Sequence, residues 1–213
     1  MSPPKRRGAA PLPQSLELAP LLRNVVGLAL ALEGEDPCLT DLIAALRTAE
    51  HALKASVPTN LSPRVGEAAA GDGRVYLDHS RDIGAYNPCF PEYDITVDGD
   101  TAHGTVAFPI VFEGPPGMVH GGFLSLFADI AIQHHNCELG AAGKTTFVLT
   151  DFLRPAPLLT PLSFTITRTV SARRSSSDLI VADNIGPVCS ARVGAIVGDP
   201  SRLAPASARR DPR

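Results

Sequence analysis

Residues 114–138, GPPGMVHGGFLSLFADIAIQHHNCE, decide the fold. Gly114, Pro115, Pro116 and Gly117 are turn residues, and the pair Gly121–Gly122 then opens a helix. Phe123, Leu124, Phe127, Ile130 and Ala131 recur at helical spacing, while Leu126 and Ile132 cover other faces. A helix so apolar nearly all round is expected to be buried. Between His120 and His134 its one formal charge is Asp129. A carboxylate inside an apolar helix costs several kcal/mol, roughly, unless it is partnered, protonated or kept for chemistry. Asp129 is therefore the first candidate for a functional residue.

Strand patterns flank this helix on both sides. Upstream, Tyr93 to Val97 and Thr101 to Phe112 are joined through Asp98–Gly99, a hairpin signal, and Pro109 marks an edge or a bulge in the second run. Downstream, Thr145 to Leu153 is followed by Leu162 to Arg173. There Leu162, Phe164, Ile166 and Val170 alternate with Ser163, Thr165, Thr167 and Thr169. After a turn over Arg173 to Ser177, Asp178 to Ala182 and Val188 to Val197 supply two more strands around an Asn184 to Pro187 turn. Two strands, one buried helix and four strands predict an antiparallel sheet curled around a single long central helix, an α+β architecture.

The segments outside this core read differently. Residues 1–14 are rich in proline and basic groups and are expected to form a disordered arm. Residues 15–60 form a helical extension. Its first helix carries Leu18, Leu21, Leu22, Val25, Leu28, Ala29 and Leu32 and stops at Gly34. Its second starts near Asp36–Pro37 or Thr40 and carries Leu39, Leu42, Ile43, Leu46 and Leu53. The two are expected to pair antiparallel and pack on the main domain. Residues 61–86 read as an irregular connection, 87–198 as the main domain and 199–213 as a disordered tail.

The 213 residues with 44% hydrophobic content fit one folded domain with extensions. The net charge of −3, with basic clusters only at the two ends, gives no support for nucleic-acid binding. Cys38, Cys89, Cys137 and Cys189 lack CxxC spacing and read as free thiols in a reducing compartment, with no zinc site. Lys5, Arg6 and Arg7 ahead of Val25 to Leu32 superficially resemble a signal peptide, but Glu17, Arg23 and Asn24 interrupt the approach. No apolar stretch approaches the ~20 residues of a membrane span. A cytoplasmic protein without membrane or nucleic-acid partners is expected.

The segment VHGGFLSLFADIAI at 119–132, with Asp129 nine positions after His120, resembles the hotdog-fold acyl-CoA thioesterases of the PaaI type. TTFVLTDFLRPAPL at 145–158 is similar to the family's next strand, which ends in Arg-Pro, and EGPPGMVHGG at 113–122 resembles a bacterial branch. The likeness covers roughly residues 87–197. It implies a homodimer whose two sheets join, often paired into a homotetramer. In such enzymes the helix N-terminus of one subunit polarises the thioester carbonyl and the carboxylate comes from the facing subunit. The implied catalytic set is Asp129, Gly122 and Thr145; the implied substrate-binding set is His120, Gly121, Asn87, Thr146 and Arg154. The implied substrate is an acyl-CoA, with neither metal nor other cofactor.

Thioester hydrolysis needs an attacking oxygen and a place for the charge that develops on the carbonyl oxygen. Unpaired N–H groups at Gly121 and Gly122, at the positive end of a helix dipole, suit the second need. Asp129 suits the first, as general base on a water or as nucleophile. The resemblance implies that Thr145 orients the water or the carboxylate, whereas Thr146, next to it on an expected strand, points to the opposite face. His120 is expected to fix the turn through hydrogen bonds. His134 and His135 read as C-terminal charges favoured by the dipole, with His134 near the pocket. Arg154 meets either a CoA phosphate or an acidic neighbour such as Asp151. A hotdog hydratase or dehydratase and a non-catalytic acyl-CoA-binding or regulatory domain are the alternative functions.

Overall fold

A computed structural model describes residues 8–65, 71–141, 143–198 and 208–210. Helices α1 (Pro13–Leu30) and α2 (Pro37–Ser56) come first. Two-residue strands β1 (Pro63–Arg64) and β2 (Arg74–Val75) pair in parallel, and the short α3 (Ile83–Tyr86) follows. Then come β3 (Tyr93–Asp98), β4 (Thr101–Val106), a 3-10 turn (Ile110–Phe112), α4 (Gly121–Glu138) and β5 (Gly143–Phe152). The chain closes with β6 (Leu162–Ser171), β7 (Arg174–Ala182) and β8 (Pro187–Val197). Among the described residues no helix is long and apolar enough to cross a membrane.

Six strands form one antiparallel sheet in the order β3-β4-β6-β7-β8-β5, and α4 packs against one of its faces. The alternation read in the sequence becomes burial. Leu162, Phe164 and Ile166 of β6, Leu179 and Val181 of β7 and Val193 of β8 face inward. They meet Leu124, Phe127, Ala128, Ala131 and Ile132 of α4 in one continuous core. Each such large side chain contributes about 1.5–3 kcal/mol by leaving water. The Phe127 ring stands edge-on to Phe164 at 5.1 Å, Tyr93 at 5.6 Å and Phe108 at 5.9 Å, which fixes the helix against the sheet.

Several expectations are corrected. The second strand ends at Val106 and not at Phe112, because Pro109 has no N–H to give a sheet partner. Its carbonyl instead accepts from Phe112 N at 3.0 Å, closing the 3-10 turn that drops Phe108 and Phe112 into the core. Strand β7 begins at Arg174, so the preceding turn is only Ala172–Arg173. The helical extension does not pack as an antiparallel pair. Helix α1 buries Ala19, Arg23 and Gly27, a narrow stripe of small residues around one arginine, and leaves Leu18, Leu21 and Leu28 exposed; α2 buries nothing.

Of the expected arm, residues 1–7 lie outside the described residues; residues 8–14 are ordered. Ala9 N donates to Tyr76 O at 2.9 Å, Asp78 N donates to Ala9 O at 3.2 Å, and α1 already starts at Pro13. Of the expected tail, 199–207 and 211–213 lie outside the described residues. Residues 208–210 are tied back, with Arg64 donating to Ala208 O at 3.2 Å and Arg209 to Ala10 O at 2.5 Å. The 61–86 connection is only partly irregular, since it holds the β1–β2 pair and α3.

Candidate functional site

The loop before α4 is built to present the helix N-terminus. Gly117, at φ +75°, takes a backbone conformation that side chains resist, and its N–H donates to Glu113 Oε1 at 2.6 Å. Val119 N donates to Ala156 O and His120 N to Phe112 O, both at 2.9 Å, which clamps the entry to the helix from two sides. His120 is the N-cap: its Nδ1 accepts from Gly122 N at 3.0 Å. The expected Gly122 donor is therefore engaged by the chain's own imidazole. Gly121 N–H, one residue earlier, has no acceptor within the helix. A Cβ on Gly121 would sit 2.8 Å from the Phe152 ring at the end of β5, so a larger residue there requires that exposed ring to move.

Asp129 lies seven residues after Gly122 on α4. It is half-exposed, which corrects the expected full burial: one sheet covers one side of α4 and leaves the Asp129, Ile130 and Gln133 side only partly covered. Thr145 Oγ1 donates to Asp129 Oδ1 at 2.7 Å, so α4 and β5 are bonded at this point. The register of β5 against β8 shifts between Thr145 and Phe147, leaving Thr146 as the extra residue. Thr146 is exposed, and its hydroxyl donates back to Gly194 O at 3.0 Å and not to the Asp129 cluster.

Gln133, one helical turn after Asp129, was missed in the sequence. Its Nε2 donates to Thr145 Oγ1 at 3.2 Å and to Gly143 O at 3.0 Å. The i, i+4 spacing from Asp129 is the signal that points to it.

Other expected residues sit elsewhere. Asn87 caps the C-terminal end of α3; its Oδ1 accepts from Cys89 N at 3.1 Å and its carbonyl from Arg23 at 3.3 Å. Arg154 pairs with Asp183, at 2.7 Å, and not with Asp151, and it also donates to Pro187 O at 3.1 Å and Gly186 O at 2.5 Å. The Arg154 hydrogen bond, helped by the Ile185 and Gly186 N–H groups, holds the Asp183 carboxyl down at about 2. The guanidinium thus braces the β7–β8 turn.

The two histidines are buried and not surface charges. His134 Nδ1 lies 2.9 Å from Tyr93 OH, and His135 Nε2 donates to Gly99 O at 2.8 Å. Burial holds the His135 pKa below its ordinary value, and the Arg168 charge adds to this against the Gly99 carbonyl, so the ring is neutral. His134 instead lines a cleft of about 400 Å³ with Asp82, Tyr93, Asp94 and Glu138. A neighbouring cleft of about 540 Å³ shares Asp82, Tyr93 and Asp94. Neither touches Asp129. Among the described residues no cluster of His, Cys, Asp and Glu is arranged to hold a metal.

Strand β5 is an edge of the sheet, yet Phe147, Leu149 and Phe152 on it are 48%, 59% and 57% exposed. The Asp129–Thr145 pair thus lies beside an open apolar edge.

No family model matches the chain, and no curated protein matches it. Among solved structures, a thioesterase superfamily protein aligns with 90% of this chain and 100% of its own, at 25% identity and a TM-score of 0.69. The E. coli PaaI protein of the phenylacetic acid degradation operon aligns at 22% identity with a TM-score of 0.46, covering 49% of this chain and 82% of its own. A hypothetical thioesterase from Streptococcus pneumoniae TIGR4, crystallised with coenzyme A, aligns at 21% identity with a TM-score of 0.47, covering 50% and 88%.

Proposed function

We propose that this chain, whose hotdog fold is that of thioesterase superfamily proteins, hydrolyses an acyl-CoA to the free acid and CoA. The observation that carries the reading is the Asp129 carboxylate, held at 2.7 Å by Thr145 on a half-exposed face beside an open apolar strand edge. As general base Asp129 takes a proton from water while the oxygen adds to the thioester carbon. The resulting oxyanion is held by the N-terminal N–H groups of α4, and its collapse breaks the C–S bond. The departing thiolate then takes the proton from Asp129. As nucleophile Asp129 adds to the same carbon and expels the thiolate, and water opens the anhydride.

Spacing within α4 favours a site shared by two copies. Seven residues at ~1.5 Å each set Gly122 and Asp129 about 10 Å apart along the helix axis. Attacking oxygen and oxyanion donor must both lie within ~3 Å of the reacting carbonyl, so one chain does not supply both. Joining two β5 edges in a homodimer covers Phe147, Leu149 and Phe152 and brings the partner's helix N-terminus toward Asp129; pairing of dimers gives the homotetramer. The thioester oxygen takes the place of His120 Nδ1 on the Gly122 N–H. Arg154 keeps its structural role at Asp183 and leaves CoA phosphate binding to other groups.

The test is release of free CoA from short, medium, long and aromatic acyl-CoAs by wild type and by Asp129→Asn. The variant is expected to lose at least ~100-fold in kcat, the general-base contribution, with unchanged oligomeric state. Wild type that binds acyl-CoA without releasing CoA contradicts the catalytic reading.

A further inference from the structure

Gly143 O, the amide of Gln133, the hydroxyl of Thr145 and the carboxylate of Asp129 form one continuous chain. The direction of every hydrogen in it follows from its first member. A backbone carbonyl only accepts, so the Gln133 group 3.0 Å from Gly143 O is the NH2 and not the oxygen. The second hydrogen of that NH2 points to Thr145 Oγ1 at 3.2 Å, which therefore accepts. A hydroxyl has one hydrogen, and the remaining neighbour, Asp129 Oδ1 at 2.7 Å, receives it. This arrangement leaves Gln133 Oε1 buried with no partner among the described residues, a cost of about 1–3 kcal/mol, and turning the amide would set that oxygen against the Gly143 carbonyl, so the orientation is fixed.

We infer that Gln133 is a positioning residue for the hydrolysis, holding the Thr145 hydroxyl as a fixed donor to Asp129. The inference rests on the thioesterase reading above. Its consequence for the mechanism is specific. Thr145 spends its only hydrogen on Oδ1, so it orients the carboxylate and not the water, and the other oxygen, Oδ2, is the one turned to the substrate. Gln133 acts through Thr145 and touches neither substrate nor water.

The test uses the full-length protein. Gln133→Leu keeps the side-chain volume and removes the donor; it is expected to lower kcat ~10-fold with KM changed less than ~2-fold, the loss of one hydrogen bond made through a charged acceptor. Gln133→Glu is expected to be worse than Gln133→Leu, because its carboxylate accepts the Thr145 hydrogen and draws it from Asp129. In a Thr145→Val background the effect of Gln133→Leu is expected to fall below ~2-fold, since there is no hydroxyl left to direct. Circular dichroism and size-exclusion chromatography check that each variant keeps its fold and oligomeric state. Neutron diffraction on deuterated protein gives a readout independent of activity: in wild type a Gln133 amide deuterium lies toward Thr145 Oγ1 and the Thr145 deuterium toward Asp129 Oδ1.

Wild-type hydrolysis with unchanged kcat in Gln133→Leu overturns the role of Gln133 and leaves the thioesterase reading intact. So does an equal effect of Gln133→Leu with and without the Thr145 hydroxyl, or wild-type deuterium pointing away from Asp129. Wild type that releases no CoA overturns the thioesterase reading, and the catalytic role of Gln133 with it.

Discussion

Asp129 stood out as a candidate at the scale of single residues because it is the one formal charge between His120 and His134 in an apolar helix. Thr145 was legible only through the motif that contains it, since a separation of 16 positions from Asp129 says nothing of contact. Gln133 was passed over because a glutamine breaks no pattern, although its i+4 spacing places it beside Asp129. His134 and His135 were misread for a related reason: near a helix C-terminus two histidines suggest dipole-favoured charge, and the sequence does not show that β3 and the β3–β4 turn cover them. The neutral, buried His135 has a measurable consequence. Its pKa lies below the unfolded value of ~6.5, so the unfolded chain binds a proton that the folded one refuses. That contribution to stability is complete above pH ~6.5 and is lost as pH falls below it. Urea unfolding from pH 7.5 to 5 is expected to show stability dropping by up to one linked proton, with a flatter profile in His135→Gln, which keeps a donor for Gly99 O. An identical slope in both proteins contradicts the assignment.

Among the elements, the sheet strands were the most legible because period-two alternation maps directly onto the buried face. Leu162, Phe164, Ile166 and Val170 read as one face; the first three are buried, and Val170, near the end of the strand, is exposed. The strand from Thr101 was read too far because alternation continues through Phe108, Ile110 and Phe112, while the backbone requirement at Pro109 decides the outcome. Helix α1 was read with the wrong face inward: leucines at helical spacing predicted the contact, but Arg23 and two small residues make it. The ion pair of Arg23 with Glu92 at 3.3 Å, and its bonds to the Gly84 and Asn87 carbonyls, tie α1 to the segment leading into β3. These differences predict unequal sensitivity. Leu179→Ala, in the middle of the sheet with no exposed surface, is expected to cost about 2–5 kcal/mol in urea unfolding. Ile43→Ala on α2, where nothing is buried, is expected to stay within about 0.5 kcal/mol. A large loss from Ile43→Ala contradicts the picture of α2 as an uncovered helix.

For the whole molecule, the fold was legible from the order of its elements, and the alignment over 90% of the chain at a TM-score of 0.69 agrees with it. The site was legible as a list of residues more than as an arrangement. Gly122 and Asp129 share a helix that holds them apart, Gly122 is capped by His120, and Arg154 is committed to Asp183. The account therefore rests on two copies meeting along β5, so that one supplies the carboxylate and the other the helix N-terminus. Mixing two inactive variants tests this most directly. Asp129→Asn removes the carboxylate, and Gly122→Pro removes the backbone donor at a first-turn position that tolerates proline. Each alone is expected to release almost no CoA. After co-expression about half the dimers are hybrids with one intact site of two, so roughly a quarter of wild-type activity is expected to return. Hybrids that form, verified by differential tagging, yet release no CoA would contradict a site built from Asp129 of one copy and the α4 N-terminus of the other.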